Sequence, residues 1–215
     1  MTDVWSERAQ AFRESRVHRE GPDLDLLVEW CEPGPRVRAL DVATGGGHVA
    51  RRLAEAECSV VSVDPAPGMQ PTVVARAEDI PFADDSFDVV ACRIAPHHFD
   101  DVGAAVREMA RVSRDRVVVE DNVFTSDEFE LAEKLHDPTH VRCYTEDEWR
   151  TFFSEAGLDI VARELFIRWQ EVDAWLERTA TPADDAVRVR ELLADRIVDG
   201  RLSFRSLVLK GRKRS

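Results

Sequence analysis

Four places along this 215-residue chain carry side chains in patterns that could do chemistry. The first is an acid followed by a glycine run, Asp41-Val42-Ala43-Thr44-Gly45-Gly46-Gly47. Glycines there let a ligand lie directly on the backbone, and the acid gives a fixed acceptor at the mouth of the same crevice. The second is Asp64, which closes the apolar run Ser59-Val60-Val61-Ser62-Val63. The third is the histidine pair of Ile94-Ala95-Pro96-His97-His98-Phe99. Imidazole is the side chain suited to moving a proton near neutral pH, so His97 and His98 are the candidate catalytic bases. The fourth is His136-Asp137-Pro138-Thr139-His140-Val141-Arg142, in which His140 and Arg142 are candidates for substrate recognition. His18, isolated near the N-terminus, is a further candidate to close the site.

The glycine spacing alone is ambiguous. Gly45-x-Gly47-x-x-Ala50 fits a loose dinucleotide pattern, with Asp64 at a suitable distance for a ribose. Asp41 argues against a nicotinamide oxidoreductase, because a carboxylate at the end of the first strand repels a pyrophosphate. It suits a cationic, phosphate-free ligand instead. The run Ala77-Glu78-Asp79-Ile80-Pro81-Phe82, continuing to Val90, has no place in a dehydrogenase.

Holding these residues takes an alternating α/β chain. Helical spacing covers 4–17, and a second helix follows Gly21-Pro22-Asp23 and stops at Pro33-Gly34-Pro35. Strands are predicted at 37–41, 59–64, 72–76, 87–93 and 116–121, with helices over 49–56 and 101–112. The crossover between the second and third strands is too short for a normal helix. The last third predicts a helix over 126–135 and a capping box, Thr145 with Glu148, ahead of Trp149, Phe152 and Phe153. Gly157 is the expected C-cap of that helix. A long strand over 159–169, helices over 172–178 and 184–196, and a final strand over 201–209 complete the chain. The period-two alternation of the final strand predicts that it is half-exposed, in an antiparallel hairpin at the sheet edge that is broken by a helical insertion. Strands alternating with helices predict a mainly parallel sheet.

With these motifs in hand, the chain resembles the class I S-adenosylmethionine-dependent methyltransferases, in the broad group of ubiquinone and menaquinone biosynthesis methyltransferases. The motifs span 37–121, and the likeness extends more loosely over the whole chain. The resemblance implies a Rossmann-like, seven-stranded, mostly parallel sheet with helices on both faces and an antiparallel C-terminal strand. It implies S-adenosyl-L-methionine as cofactor, S-adenosyl-L-homocysteine as product and a small-molecule acceptor. Asp41, Ala43, Thr44, Gly45 and Gly47 would hold the methionine part. Asp64 would accept both ribose hydroxyls with Pro65 beside it, Met69 would pack on the adenine, and Ala77 with Glu78 would meet its edge. Arg93 and Ile94 would line the sulfonium end, with His98 facing the acceptor. Ala43 replaces the family's first glycine, which implies an ordinary φ there; Arg76 stands where the family carries an acid. Residues 1–32 would form a helical lid on a single domain, and 126–200 the substrate side. No metal is implied. A protein that binds the cofactor without methylating, or a lyase or cyclase on the same fold, remains an alternative.

Bulk properties agree with such an enzyme. The net charge of -13 disfavours nucleic acid, whose phosphates demand basic surface. Lys210-Gly211-Arg212-Lys213-Arg214 is a basic tail expected to be solvated. None of Cys31, Cys58, Cys92 and Cys143 forms a CxxC pair, and Cys58 and Cys92 sit in apolar runs that predict burial. No signal peptide or membrane-spanning run is evident, so the expectation is a cytoplasmic monomer or homodimer.

Overall fold

A computed structural model describes residues 3–214. Three N-terminal helices, α1 (Val4–Glu14), α2 (Arg16–Arg19) and α3 (Pro22–Trp30), precede the sheet. Then come β1 (Arg38–Val42), α4 (His48–Glu55), β2 (Ser59–Asp64), β3 (Val73–Val74), β4 (Phe87–Arg93), α5 (Val102–Val112) and β5 (Ser113–Asn122). The last third holds α6 (Asp127–His136), α7 (Glu146–Glu155), β6 (Leu158–Glu171), α8 (Val172–Arg178), α9 (Ala183–Leu192), β7 (Ile197–Val198) and β8 (Arg201–Lys213). The strand order is β3-β2-β1-β4-β5-β8-β6, with β7 pairing β8 off this path. β1 to β5 run parallel, and β8 is antiparallel to both β5 and β6.

Both faces of the sheet are covered, which explains why β4 reads as unbroken apolar sequence. Val90 and Cys92 join a core with Val106 and Met109 of α5 and Trp149 and Phe153 of α7. Val89 and Ala91 point the other way, onto Leu24 and Leu27 of α3 and Leu53 of α4. A third core, with Phe129, Trp175, Val189 and Phe204, binds α6, α8 and α9 over the far end of β8. The helix signals act as the sequence implies: Thr145 and Glu148 cap each other's backbone, and Gly157 follows α7 at φ 76°. All four cysteines are buried free thiols.

Three expectations need correction. β3 shrinks to two residues because a single turn, Pro67–Met69, replaces the crossover helix. The hairpin of β6 and β8 sits at the sheet edge with α8 and α9 inserted, as expected, but β8 is its inner strand, between β5 and β6, so its second half is buried on both faces instead of half-exposed. The basic tail belongs to that strand: Lys210 pairs with Glu32, Arg212 with Asp115 and Glu32, and Lys213 with Asp85. Among the described residues, no helix is long and apolar enough to cross a membrane.

Candidate active site

The C-terminal ends of β1, β2 and β4 open onto a cavity of about 340 Å³, where an open parallel sheet places its ligand crevice. The loop leaving β1 turns sharply. Ala43, Gly45 and Gly47 have φ values of 53°, 50° and 75°. Ala43 therefore departs from the ordinary φ expected of it. It takes the left-handed form that costs a non-glycine residue about 1–2 kcal/mol, because the turn into α4 requires that form. Asp41, Ala43, Thr44 and Gly45 line the cavity, whereas Gly47 shapes the turn as the cap of α4. Gly46 is needed for close approach: a Cβ there would lie 2.8 Å from the carbonyl oxygen of Phe12 in α1.

Two carboxylates face this cavity from neighbouring strand ends. Asp41 accepts from Thr44 Oγ1 at 2.5 Å and from the Ala50 N–H at 3.1 Å. Burial pushes its pKa up to about 7 in spite of those bonds. Asp64 accepts the N–H of Gly45 on one oxygen at 3.0 Å and that of Ala66 on the other at 2.9 Å. A carboxylate offers about four acceptor sites, so two remain for a ligand. Pro65, Met69, Arg76, Ala77 and Glu78 complete this wall, and Glu78 also accepts the Asp100 N–H at 3.0 Å. Arg93 lies in the opposite wall, but its guanidinium is spent on Asp23, on Glu120 at 2.6 Å and on the His18 carbonyl at 2.9 Å. Next to it, Ile94 sits at φ 50°, a rare conformation for a β-branched residue.

Trp5, Phe12 and His18 close the top of the cavity. The Gly68 N–H donates to Ser6 Oγ at 2.7 Å, and His48 Nε2 donates to the Phe12 carbonyl at 3.0 Å. Burial, followed by the nearby Arg178, drives the His18 pKa well below its usual value, so the ring is neutral.

A second chamber of about 50 Å³ lies behind this cavity and shares Phe12, His18, Ile94 and His98 with it. The Thr139 carbonyl can only accept, so His98 carries its proton on Nδ1, 3.1 Å away, and Nε2 keeps its lone pair. His97 Nδ1 faces Asp121 Oδ1 at 2.5 Å, which fixes the same tautomer. The two rings stand 4.1 Å apart. Burial pulls both histidines down to about 3 and pushes Asp121 up to about 7. The 137–142 loop is tied to the pair by the Val141 N–H, which donates to the His97 carbonyl at 2.9 Å.

His140 lines this chamber, but its Nε2 turns to Glu130 at 3.2 Å. Burial alone would lower its pKa; the carboxylates of Glu130 and Glu133 outweigh that and raise it. With Cys143 these residues form a group whose donor atoms lie within 4.8 Å of one another. Such a set could take an ion, yet its members already bond to each other: Cys143 Sγ donates to Glu133 at 3.1 Å and its N–H to Glu130 at 3.0 Å. Arg142 is not brought to the site. It sits on the exterior against Glu148 at 2.6 Å and over the Tyr144 ring at 4.5 Å.

Several residues here were not singled out from sequence. Asp121 had a signal, since Glu120-Asp121 ends a third strand in acids. Arg168 and Arg178 had none, because two arginines among 29 basic residues carry no spacing of their own.

A doubly wound sheet with an antiparallel last strand, and acids at the ends of β1 and β2 flanking a glycine turn, defines a class I methyltransferase architecture. Residues 40–119 match the family described as "Methyltransferase domain". An uncharacterized methyltransferase of Bacillus subtilis, YcgJ, is 35% identical over 207 residues, covering 84% of this chain and 80% of that protein. Its crystal structure aligns over 90% of this chain and 98% of its own, at 28% identity and a TM-score of 0.79. The structure of a putative methyltransferase from Bacillus halodurans aligns over 91% and 100%, at 27% identity and a TM-score of 0.78. The chain belongs to this methyltransferase family.

Proposed function

We propose that the protein transfers a methyl group from S-adenosylmethionine to a small-molecule acceptor lodged in the chamber behind His98. The observation that carries this reading is the pair Asp41 and Asp64, buried at adjacent strand ends around one cavity. Asp64 has acceptor sites left for a vicinal diol. Asp41 is a buried acid whose hydrogen-bond partners, Thr44 and Ala50, are both neutral, so a cationic ligand is what would stabilise its carboxylate. The residues present therefore fit this cofactor, which when bound supplies an electrophilic methyl group on a sulfonium.

The rest of the chemistry falls to the chain. In this reading α1 and α2 act as a lid that excludes water from the cavity. His98, shared by the two chambers, presents a neutral Nε2 to the acceptor. Burial, with His97 beside it, lowers its pKa and keeps the ring neutral. Such a ring is too weak a base to keep a proton at neutral pH, so it aligns an acceptor O–H or N–H by taking its hydrogen bond. His97, held by Asp121, braces it from behind.

Isothermal titration tests the reading. S-adenosylmethionine and S-adenosylhomocysteine are expected to bind at micromolar affinity, and NAD is not. Asp64→Ala should weaken both ligands by about 2–3 kcal/mol, the scale for losing a charged hydrogen-bonding partner. Micromolar NAD binding without the other two would overturn the proposal.

A further inference from the structure

The small chamber contains buried guanidinium donors that the cofactor does not address. Arg168 on β6 and Arg178 on α8 both line it. The Arg168 side chain is only 10% exposed, and its Nε and Nη1 are buried with no hydrogen-bond partner among the described residues. Its remaining nitrogen, Nη2, donates to Asn122 at 2.5 Å. Arg178 meets no carboxylate among the described residues; it donates to Gln170 at 3.0 Å and lies 3.5 Å from Ser15 Oγ. Buried guanidinium donors without acceptors are costly, and the arrangement makes sense when something supplies them.

The neighbouring charges show what that something is. Arg8 is matched by Asp137 at 3.0 Å. Arg93 and Arg168 share Glu120, at 2.6 and 3.7 Å, and Arg93 also holds Asp23. Glu130 is matched by His140. Arg8, Arg93 and Arg168 thus each meet a carboxylate, whereas Arg178 meets none among the described residues. Asp121 and Glu133, the other acids nearby, face His97 and Cys143 rather than the two guanidinium groups. Buried donors left without acceptors on Arg168, beside an Arg178 that meets no carboxylate, call for an anion. Planar guanidinium forks favour a planar, two-oxygen partner, and a chamber of about 50 Å³ favours a small one.

We propose that the acceptor is a small carboxylic acid whose carboxylate is held between Arg168 and Arg178, with its nucleophilic end toward His98. This rests on the methyl-transfer reading and adds the substrate class to it.

The probes are acetate, chloride at matched ionic strength, and inorganic phosphate at pH 8, each titrated into ¹⁵N-labelled protein saturated with S-adenosylhomocysteine. The readout is the arginine Nε–Hε resonances. Acetate is expected to shift the Arg168 and Arg178 signals together, to saturation, and chloride to give no saturating shift. Phosphate, largely a dianion at that pH, should bind more weakly than acetate. Arg178→Gln should raise the acetate midpoint at least tenfold while leaving S-adenosylhomocysteine affinity unchanged, since Arg178 lies outside the cofactor cavity. A non-saturating acetate response, a chloride response equal to it, tighter phosphate binding, or an unchanged midpoint in Arg178→Gln overturns the inference. The acetate, chloride and phosphate arms decide on the wild type even if the variant does not fold. Failure of S-adenosylhomocysteine to bind overturns the methyl-transfer reading instead, whatever acetate does to the free protein.

Discussion

Asp41 ties the ligand to a measurable proton. Burial, reinforced by the nearby Asp64 and opposed by Thr44, Ala50 and Arg93, sets its pKa at about 7 against an ordinary 3.8. At pH 6 the free protein therefore holds Asp41 largely protonated. A cationic ligand favours the carboxylate, so binding releases a proton below pH 7. S-adenosylmethionine affinity should climb from pH 6 to 7 and then level off. For folding the sign is reversed: the unfolded chain sheds this proton first, so Asp41 takes stability away as pH rises from 3.8 to about 7. His97, His98 and His136, lowered to about 3 mainly by burial, act oppositely and add stability as pH rises toward their usual value. Only the difference between the wild type and Asp41→Asn isolates the acid. Titration calorimetry at pH 6, in two buffers of different ionisation enthalpy, should detect proton release in the wild type and none in Asp41→Asn; no release from the wild type refutes the assignment. Asp41 and Asp64 were legible in the sequence because each closes a strand beside a breaker-rich turn. Arg178 was not, since its meaning comes from Arg168 and Asp137, which only the fold brings near it.

At the scale of elements, the contact between α1 and the glycine turn is where the proposed lid can be tested. Period and breakers revealed the N-terminal helices, but not the break at Ser15 that ends α1 and starts α2, because the spacing runs through it. They could not reveal that α1 rests on Gly46, an approach set by tertiary packing. A methyl group at Gly46 would meet the Phe12 carbonyl oxygen at 2.8 Å and its carbon at 3.0 Å. Helix backbone cannot yield as a flexible side chain can, so Gly46→Ala must push α1 outward. The expected result is about a tenfold loss of S-adenosylhomocysteine affinity, about 1.4 kcal/mol. Trypsin should cut faster at Arg8 and Arg13, while the core and its melting temperature stay nearly unchanged. Wild-type affinity in this variant would show that α1 does not serve as the lid. The short crossover before β3 was readable for a simpler reason: the chain between Asp64 and Val73 is too short for a helix to span the step.

The whole molecule separates what binds from what holds the sheet together. β8 enters last in sequence yet lies inside the sheet, clamped by β5 and β6. Period-two alternation in Arg201–Leu209 suggested a half-exposed strand, since sequence shows the pattern along a strand but not which neighbours cover it. Tail residues that looked solvated instead pair with Glu32, Asp115 and Asp85, stitching the last strand to the loop after α3, to β5 and to the loop before β4. Gly211 marks how tightly this strand is packed. A Cβ there would lie 2.8 Å and 2.9 Å from two atoms of the Phe153 ring and 3.1 Å from Leu158. Phe153 is fully buried between α7 and the sheet, so its ring has nowhere to go. Gly211→Ala should cost about 1–3 kcal/mol by overpacking. For a chain of this size, each kcal/mol lowers the melting temperature by about 2–4 °C. Gly211 touches neither chamber, so the folded variant should bind S-adenosylhomocysteine with wild-type affinity. Calorimetry on Gly211→Ala and Gly46→Ala side by side makes the comparison: one should lose stability and keep its ligand, the other should keep stability and lose affinity. If both variants lose both properties together, the cavity and the sheet behave as one cooperative unit, and the separation argued here fails.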